Sequence, residues 1–336
     1  MNRRTSFIYY LGKVISAVLS IFVLSVCVFS ISRFAPGDPL VSYYGDRAEK
    51  MSMEERAWAE DKLGLNESIF VQYVRWAENA VQGDFGISFK YKKDVLQVLE
   101  SRIGNTLVLG GIGFVIIFIC SLLLGILCAM HEDRWLDRVI CKVGTVISCI
   151  PEFWLSLLLI LVFAVTLKWL PIGGAYSIGN ENNVVDRMNH LIMPLAVVVF
   201  SHLWYYAYMV RNKLVEELSA DYVVLAKVKG LTRHQIVFKH CVRNILPVYL
   251  GIMAISVPHI LGGTYIVEAV FSYPGMGQLF YESARYQDYN LLMIISILSG
   301  ALVIMSNSVA QIINERIDPR LKVRHKAEIS EVADNG

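Results

Sequence analysis

The chain has 336 residues, of which 55% are hydrophobic and only 18% charged, with a mean hydropathy of +0.49. A soluble domain carries about a quarter charged residues, so this composition points to lipid as the solvent. The net charge of +2 gives no reason to expect a nucleic-acid partner, and the six cysteines, with no CxxC or Cys/His spacing, argue against a disulfide framework.

A helix needs about 20 apolar residues to cross a bilayer core, and lipid requires each crossing segment to bond its own backbone. Six runs qualify: Val14–Ile31, Thr106–Met130, Val143–Leu170, His190–Val210, Ile245–Val270 and Tyr289–Ile313. The first follows Arg3 and Arg4, as a signal peptide would. It is long, however, and no clear A-x-A site follows, so it reads as an uncleaved span. The second contains fifteen Leu, Ile, Val or Phe residues and no charge. Its insertion is favoured by several kcal/mol, and Gly110, Gly111, Gly113 and Gly125 let a neighbour approach closely.

Residues 33–105 are expected as an extracytoplasmic segment between the first two spans. Within it, Ser52 and Glu55 have the spacing of a capping box before a helical run, and Phe70, Tyr73, Val74 and Ala77 share one face of a second helix. A partly disordered loop is the alternative. The core of helices two to six covers 106–314, and 315–336 is a tail. Lys and Arg in the short loops and ends divide eighteen against two, the two being Arg187 and Arg285. That asymmetry places both termini in the cytoplasm.

The third run is interrupted by Pro151 and Glu152. A carboxylate within a span costs about 3 kcal/mol at mid-depth and marks a pathway site, unless the span begins at Phe153 and leaves Glu152 at its boundary. His202 and His259 read as hydrogen-bonded packing residues, and Trp204, Tyr205, Tyr206 and Tyr208 as an interfacial aromatic belt. Pro258, Gly262 and Gly263 soften the fifth span, either as a packing kink or as a broken helix beside a path. The segment from Pro274 to Tyr289 is a candidate outer gate. The candidate pathway or gate residues are therefore Glu152, Pro258, Gly262, Glu268, Phe271, Pro274 and Gly275.

The loop of residues 211–246 carries the most local information. Ser219 is a plausible N-cap, with Leu218 and Val223 as a hydrophobic staple, for a helix running to Lys229. Gly230 then supplies a left-handed stop. Thr232 and Gln235 form a capping box for a second helix, stapled by Leu231 and Ile236, and Pro247 lies just inside the next span. Basic charge alone fits a topology anchor. Two capped helices with no flexible linker fit a docking element that passes motion into the membrane.

This loop resembles the EAA loop of permeases in bacterial binding-protein-dependent ABC importers, most closely the dipeptide, oligopeptide and nickel branch. The matching residues are Asp221, Tyr222, Ala226, Lys229, Gly230, Leu231, Lys239, His240, Arg243, Asn244, Leu246 and Pro247. Similarity to that branch extends through Phe34–Pro39, Lys62–Leu65, Gly83–Ser88, Asn105–Leu107, Glu268–Gly277 and Ile317–Arg320. The acid for which the loop is named is replaced by Val224, followed by Leu225, and the stretch from Asn244 to Pro247 is one residue short.

The resemblance implies an all-α integral membrane protein of six transmembrane helices with type I ABC importer permease architecture, in a bacterial cytoplasmic membrane. It implies a second homologous permease as a heterodimer partner, two cytoplasmic ABC ATPases and an extracytoplasmic binding protein. No cofactor is expected in this chain, ATP and Mg belonging to the ATPases. Di- or oligopeptides are the expected substrate, with nickel, another chelated metal or glutathione as alternatives. An intramembrane protease or a stand-alone ion-coupled carrier is remote. The chain has no G-x-S-x-G, H-E-x-x-H or P-loop motif, and no repeat is evident.

Overall fold

The computed structural model describes residues 3–34, 40, 44–62 and 64–317. The motif positions Ala35–Pro39, Leu63 and Asp318–Arg320, and the expected tail beyond residue 317, lie outside the described residues. Helix α1 spans Arg3–Phe34. A 3₁₀ turn at Gly45–Lys50 leads to α2, Met53–Lys62, and α3, Ile69–Val81. There follow α4, Val95–Met130; α5, Trp135–Ser148; and α6, Glu152–Leu159, extended by a π-helical stretch over Ile160–Thr166. The long α7 covers Val184–Leu218, α8 Asp221–Val228 and α9 Arg233–Ile236. A π-helical stretch, Val237–Cys241, joins α9 to α10, Val242–Val270; α11 is Met276–Arg285 and α12 Tyr289–Ile317.

Among the described residues five helices are long and apolar enough to cross a membrane: Leu11–Phe34, Val95–Met130, Val184–Leu218, Arg233–Val270 and Tyr289–Ile313. The expected third span is instead a broken pair, α5 and α6, bent by 96°. Proline explains the break. Pro151 has no N–H to continue α5 and disfavours helical geometry in the residue before it. Its own carbonyl then starts α6, accepting from Trp154 and Leu155 at 3.0 Å each. The fifth span is not a broken helix: α10 runs without interruption past Pro247, Pro258 and Gly262. The helix that carries the second span begins earlier than the charge-free run, at Val95.

The described residues fall into two compact units. One draws on described residues up to Val108, Ile172–His190 and Thr264–Ile304, the other on Leu109–Pro171, Leu191–Gly263 and described residues from Met305 onward. In the first, Val95, Val98 and Leu99 of α4 pack with Met276 and Leu279 of α11 and with Leu291, Ile294 and Ile295 of α12. The helix expected around residues 70–77 forms, capped by Ser68, which accepts from Val71 N at 3.4 Å. Its inner face differs from the expectation. Phe70 and Val74 are exposed, and Tyr73 and Trp76 turn inward against Phe29 of α1, with centroids 5.4 and 5.8 Å away. Tyr73 Oη also pairs with Ser25 Oγ at 2.8 Å. The capping box of α2 is as expected: Glu55 N donates to Ser52 Oγ at 3.2 Å, and Ser52 N to Glu55 Oε2 at 2.9 Å.

In the second unit, Phe118 of α4 lies against Tyr206 of α7 and Tyr249 of α10, with centroids 4.8 and 5.6 Å away. Tyr249 Oη donates to the Phe118 carbonyl at 2.6 Å and pairs with Ser121 Oγ at 2.7 Å, so its polar end is satisfied inside an apolar contact. Gly125 faces Val210, and Gly144 faces Trp204, closely enough that a Cβ would collide with either.

Candidate functional site

The loop between α7 and α10 is built from its caps. Ser219 is not the N-cap of α8: its hydroxyl donates back to the Val215 carbonyl at 3.2 Å, and Ala220, in extended geometry, precedes the helix. α7 persists to Leu218, so Ser219 spends its side chain closing that helix. The end of α8 is a Schellman motif. Leu231 N donates to the Ala226 carbonyl at 3.2 Å, Gly230 N donates to the Lys227 carbonyl at 2.9 Å, and Gly230 has φ +78°. Thr232 and Gln235 form the reciprocal capping box of α9. From there the chain stays helical into α10, so the elbow is joined directly to a membrane helix.

Tyr222 fastens the inner side of the elbow. Its hydroxyl donates to Glu217 and lies 3.6 Å from Cys241 Sγ, and Asn244 Nδ2 donates to Glu217 Oε2 at 3.3 Å. Burial, followed by the Glu217 carboxylate, pushes the Tyr222 phenol above its ordinary value. Val223 and Ala226 are buried beneath α8. Asp221, Lys229, Lys239, His240 and Arg243 are exposed, and Pro247 is half-buried.

The other face of α8 is unlike the basic surface expected. Val224, Leu225 and Val228 are 58%, 56% and 79% exposed, and their spacing sets them on one side of the helix. The position read as a lost acid is therefore part of an apolar patch.

A bidentate ion pair not foreseen from sequence braces the end of α7. Arg211 Nε and Nη2 donate to Asp137 Oδ1 and Oδ2 of α5 at 2.7 and 2.6 Å. Asp137 is buried and also accepts from Asp133 N at 3.1 Å. Arg233 Nη2 donates to the Ala129 carbonyl at 3.2 Å, tying α9 to the end of α4.

Glu152 opens α6 immediately after the bend and borders a cavity of about 650 Å³ with Ser201 and His202 of α7 and Ser256 and His259 of α10. The His202 and His259 rings meet edge to face at 5.5 Å. His202 Nδ1 donates to the Val198 carbonyl at 3.0 Å and stands 3.8 Å from Glu152 Oε1. Of the other candidate pathway residues, Pro258 is next in sequence to His259, and a Cβ on Gly262 would meet only open space.

Glu268, Phe271, Pro274 and Gly275 come together in the first unit as a buried junction. Glu268 accepts from Thr106 Oγ1 at 2.7 Å and from Gly277 N at 2.6 Å, while Met276 N donates to Thr106 Oγ1 at 2.7 Å. One carboxylate oxygen thus caps α11 directly and the other holds Thr106, whose hydroxyl caps Met276, the first amides of a helix needing acceptors. A Cβ on Gly275 would overlap the Glu268 carboxylate. Asn105 Nδ2 donates to the Pro274 carbonyl at 2.8 Å, and Gly174 N to the Phe271 carbonyl at 2.9 Å. Beside this junction, Lys90 and Tyr91 bind Glu282 of α11, and Ser88 binds Asp288. Burial of Glu282 opposes its ionisation, but the Lys90 and Tyr91 hydrogen bonds prevail and hold the carboxyl below its ordinary value of 4.5.

Two family models match the chain. "Binding-protein-dependent transport system inner membrane component" matches residues 121–323, and the corresponding N-terminal membrane component matches residues 6–110. The chain is 32% identical over 315 residues to the oligopeptide transport system permease protein AppB of Bacillus subtilis, covering 94% of this chain and 99% of that protein. It is 32% identical over 314 residues to the oligopeptide transport system permease protein OppB of Haemophilus influenzae, covering 92% and 97%. It is 30% identical over 316 residues to the glutathione transport system permease protein GsiC of Escherichia coli K12, covering 94% and 99%. Among solved structures, a chain of the MetNI methionine ABC transporter in an inward-facing conformation matches with a TM-score of 0.54 at 19% identity. That match covers 66% of this chain and 97% of the other, and shows a shared fold.

Proposed function

The chain belongs to the binding-protein-dependent transport system inner membrane component family, and from that premise we propose that it passes peptides through a bacterial cytoplasmic membrane, driven by separate ATPase subunits. It is a multi-pass transport subunit of the peptide branch of ABC permeases. A binding protein delivers the solute on the outer side, and a second, homologous permease completes the path. ATP and its Mg ion belong to the ATPases. Both termini and the loop of residues 211–246 face the cytoplasm, in keeping with the eighteen-to-two division of Lys and Arg.

The observation that carries the coupling role is the apolar face of α8. A topology anchor needs charge and no shape. This loop has a Schellman stop, a capping box and direct helical continuity with α10, yet it leaves Val224, Leu225 and Val228 uncovered. Uncovered aliphatic side chains on a rigid element fit a protein partner that buries them. Asp221, Lys229, Lys239, His240 and Arg243 then form a polar rim around that contact, as at other interfaces. Closure of the ATPases pushes the elbow, and the push enters α10 through α9 and α7 through the Arg211–Asp137 brace.

Peptides are favoured because both 32%-identical relatives above are named oligopeptide permeases. Glutathione, itself a tripeptide with a free amino group, is the second reading, supported by the 30%-identical relative named for it. The test is uptake into proteoliposomes containing the chain, its partner permease, both ATPases and the binding protein. ATP-dependent accumulation of trialanine, competed weakly by glutathione, is the expected result. Uptake that ignores ATP, or that follows glutathione and not trialanine, overturns the reading.

A further inference from the structure

Among the described residues the fully buried acids, Asp137, Glu268 and Asp288, all have partners, and the half-buried Glu152 differs from them. Asp137 is paired with Arg211, and Glu268 with Thr106 and Gly277. Glu152 has no such partner: its Oε2 is shielded from solvent and meets no hydrogen-bond donor among the described residues. The nearest basic group to its Oε1, His202 Nδ1, is 3.8 Å away and gives its hydrogen to the Val198 carbonyl. No Lys or Arg borders the cavity that Glu152 faces. A carboxylate inside a membrane domain is costly to hold without a countercharge, and this one is placed at the wall of a chamber rather than inside the packing.

We propose that this chamber is a transit site for the ammonium group of a passing peptide, with Glu152 as its countercharge and Ser201, Ser256 and the His202–His259 pair as further acceptors. The inference rests on the peptide reading above. An ammonium presents three donors and no acceptor, matching a wall rich in oxygen and imidazole nitrogen. A metal ion fits less well. Among the described residues only Cys128, Asp137 and Cys141 bring three ligand atoms within 4.8 Å of one another, and Asp137 is already bound by Arg211.

The size and remaining wall agree with a peptide. About 650 Å³ falls within the range of roughly 300–1,000 Å³ seen for small-molecule sites and exceeds what an amine alone requires. Beside Ser148, Tyr205 and Tyr206, the residues Met209, Ile252 and Ile255 give the wall apolar, partly flexible surface that accepts varied side chains. One fixed carboxylate thus meets the group that peptides share, and an adaptable wall meets the part that differs.

The experiment compares trialanine, N-acetyl-trialanine and N-acetyl-Ala-Lys-Ala in the reconstituted complex, with each uptake rate normalised to binding-protein occupancy measured separately. The wild type is expected to pass trialanine about tenfold faster than its acetylated form, a difference of about 1.4 kcal/mol. Glu152→Gln, of nearly equal volume, is expected to slow trialanine to the acetylated rate, and Glu152→Asp to recover part of the preference. Size-exclusion chromatography of each variant complex confirms assembly. If the lysine peptide passes like trialanine, the ammonium is read wherever it lies; if it passes like N-acetyl-trialanine, the α-amino group is read. A full amine preference in assembled Glu152→Gln, or none in the wild type, overturns the inference while leaving peptide transport standing. No uptake of any peptide by the wild type overturns both.

Discussion

Replacing Val224, Leu225 and Val228 together by alanine should weaken attachment of the ATPase without weakening the permease. The three side chains are 58%, 56% and 79% exposed, so they present the equivalent of about two fully accessible aliphatic side chains. At about 2 kcal/mol each, their complete burial by a partner contributes at most about 4 kcal/mol. The alanine methyls retain part of that, leaving an expected loss of about 3 kcal/mol, or more than a hundredfold in Kd. The same substitutions should change the thermal stability of the isolated permease by less than about 0.5 kcal/mol, because no packed contact is lost. The assay is titration of purified ATPase onto the permease pair in lipid nanodiscs, alongside a thermal melt of the permease alone. Unchanged ATPase affinity in the triple variant refutes the docking argument. A large fall in permease stability refutes the premise that this face is uncovered.

Three further outcomes are expected. Asp137→Ala strands the Arg211 guanidinium beside a buried position and should destabilise the detergent-solubilised protein by about 3 kcal/mol; a double-mutant cycle with Arg211→Ala showing simple additivity would contradict the brace. Gly230→Ala meets no neighbouring atom, so its cost is only that of a left-handed alanine, about 1 kcal/mol. Amide exchange at residues 230 and 231 should accelerate about fivefold, and unchanged exchange would show that the Schellman turn is not what holds α8. Glu282 has a folded-state pKa below its ordinary 4.5, so the stability it adds is present above that value and is lost as pH falls below it. Melts of wild type and Glu282→Gln should therefore differ at neutral pH and converge in acid, and a difference that grows in acid would reverse the sign of the argument.

Much of the elbow was legible because its signals act over three to five residues. Thr232 and Gln235 cap α9 as their spacing implies, and Gly230 adopts the left-handed turn that follows a last helical turn carrying Lys227 and Lys229. Ser219 misled because two helix ends compete for it: a serine between two helices can close the first or start the second, and here it bonds back to Val215. The interruption of the third run at Pro151 was legible too, but not the angle it makes. Hydropathy sees an apolar run from Val143 onward, whereas Pro151 divides it into two helices 96° apart.

The positions of the long apolar helices were set by the sequence alone, since insertion free energy sums along one segment whatever packs against it. The caps at Ser52, Ser68 and Thr232 are equally local. Only the tertiary structure decided that Asp137 meets Arg211, 74 positions away, that Glu268 is consumed in capping α11 through Thr106, and that Glu152 faces a chamber with two histidines and no Lys or Arg to pair with it. Such pairings depend on how each helix is rotated about its axis when it packs, and a period of 3.6 residues gives every polar side chain a direction without saying what will stand opposite.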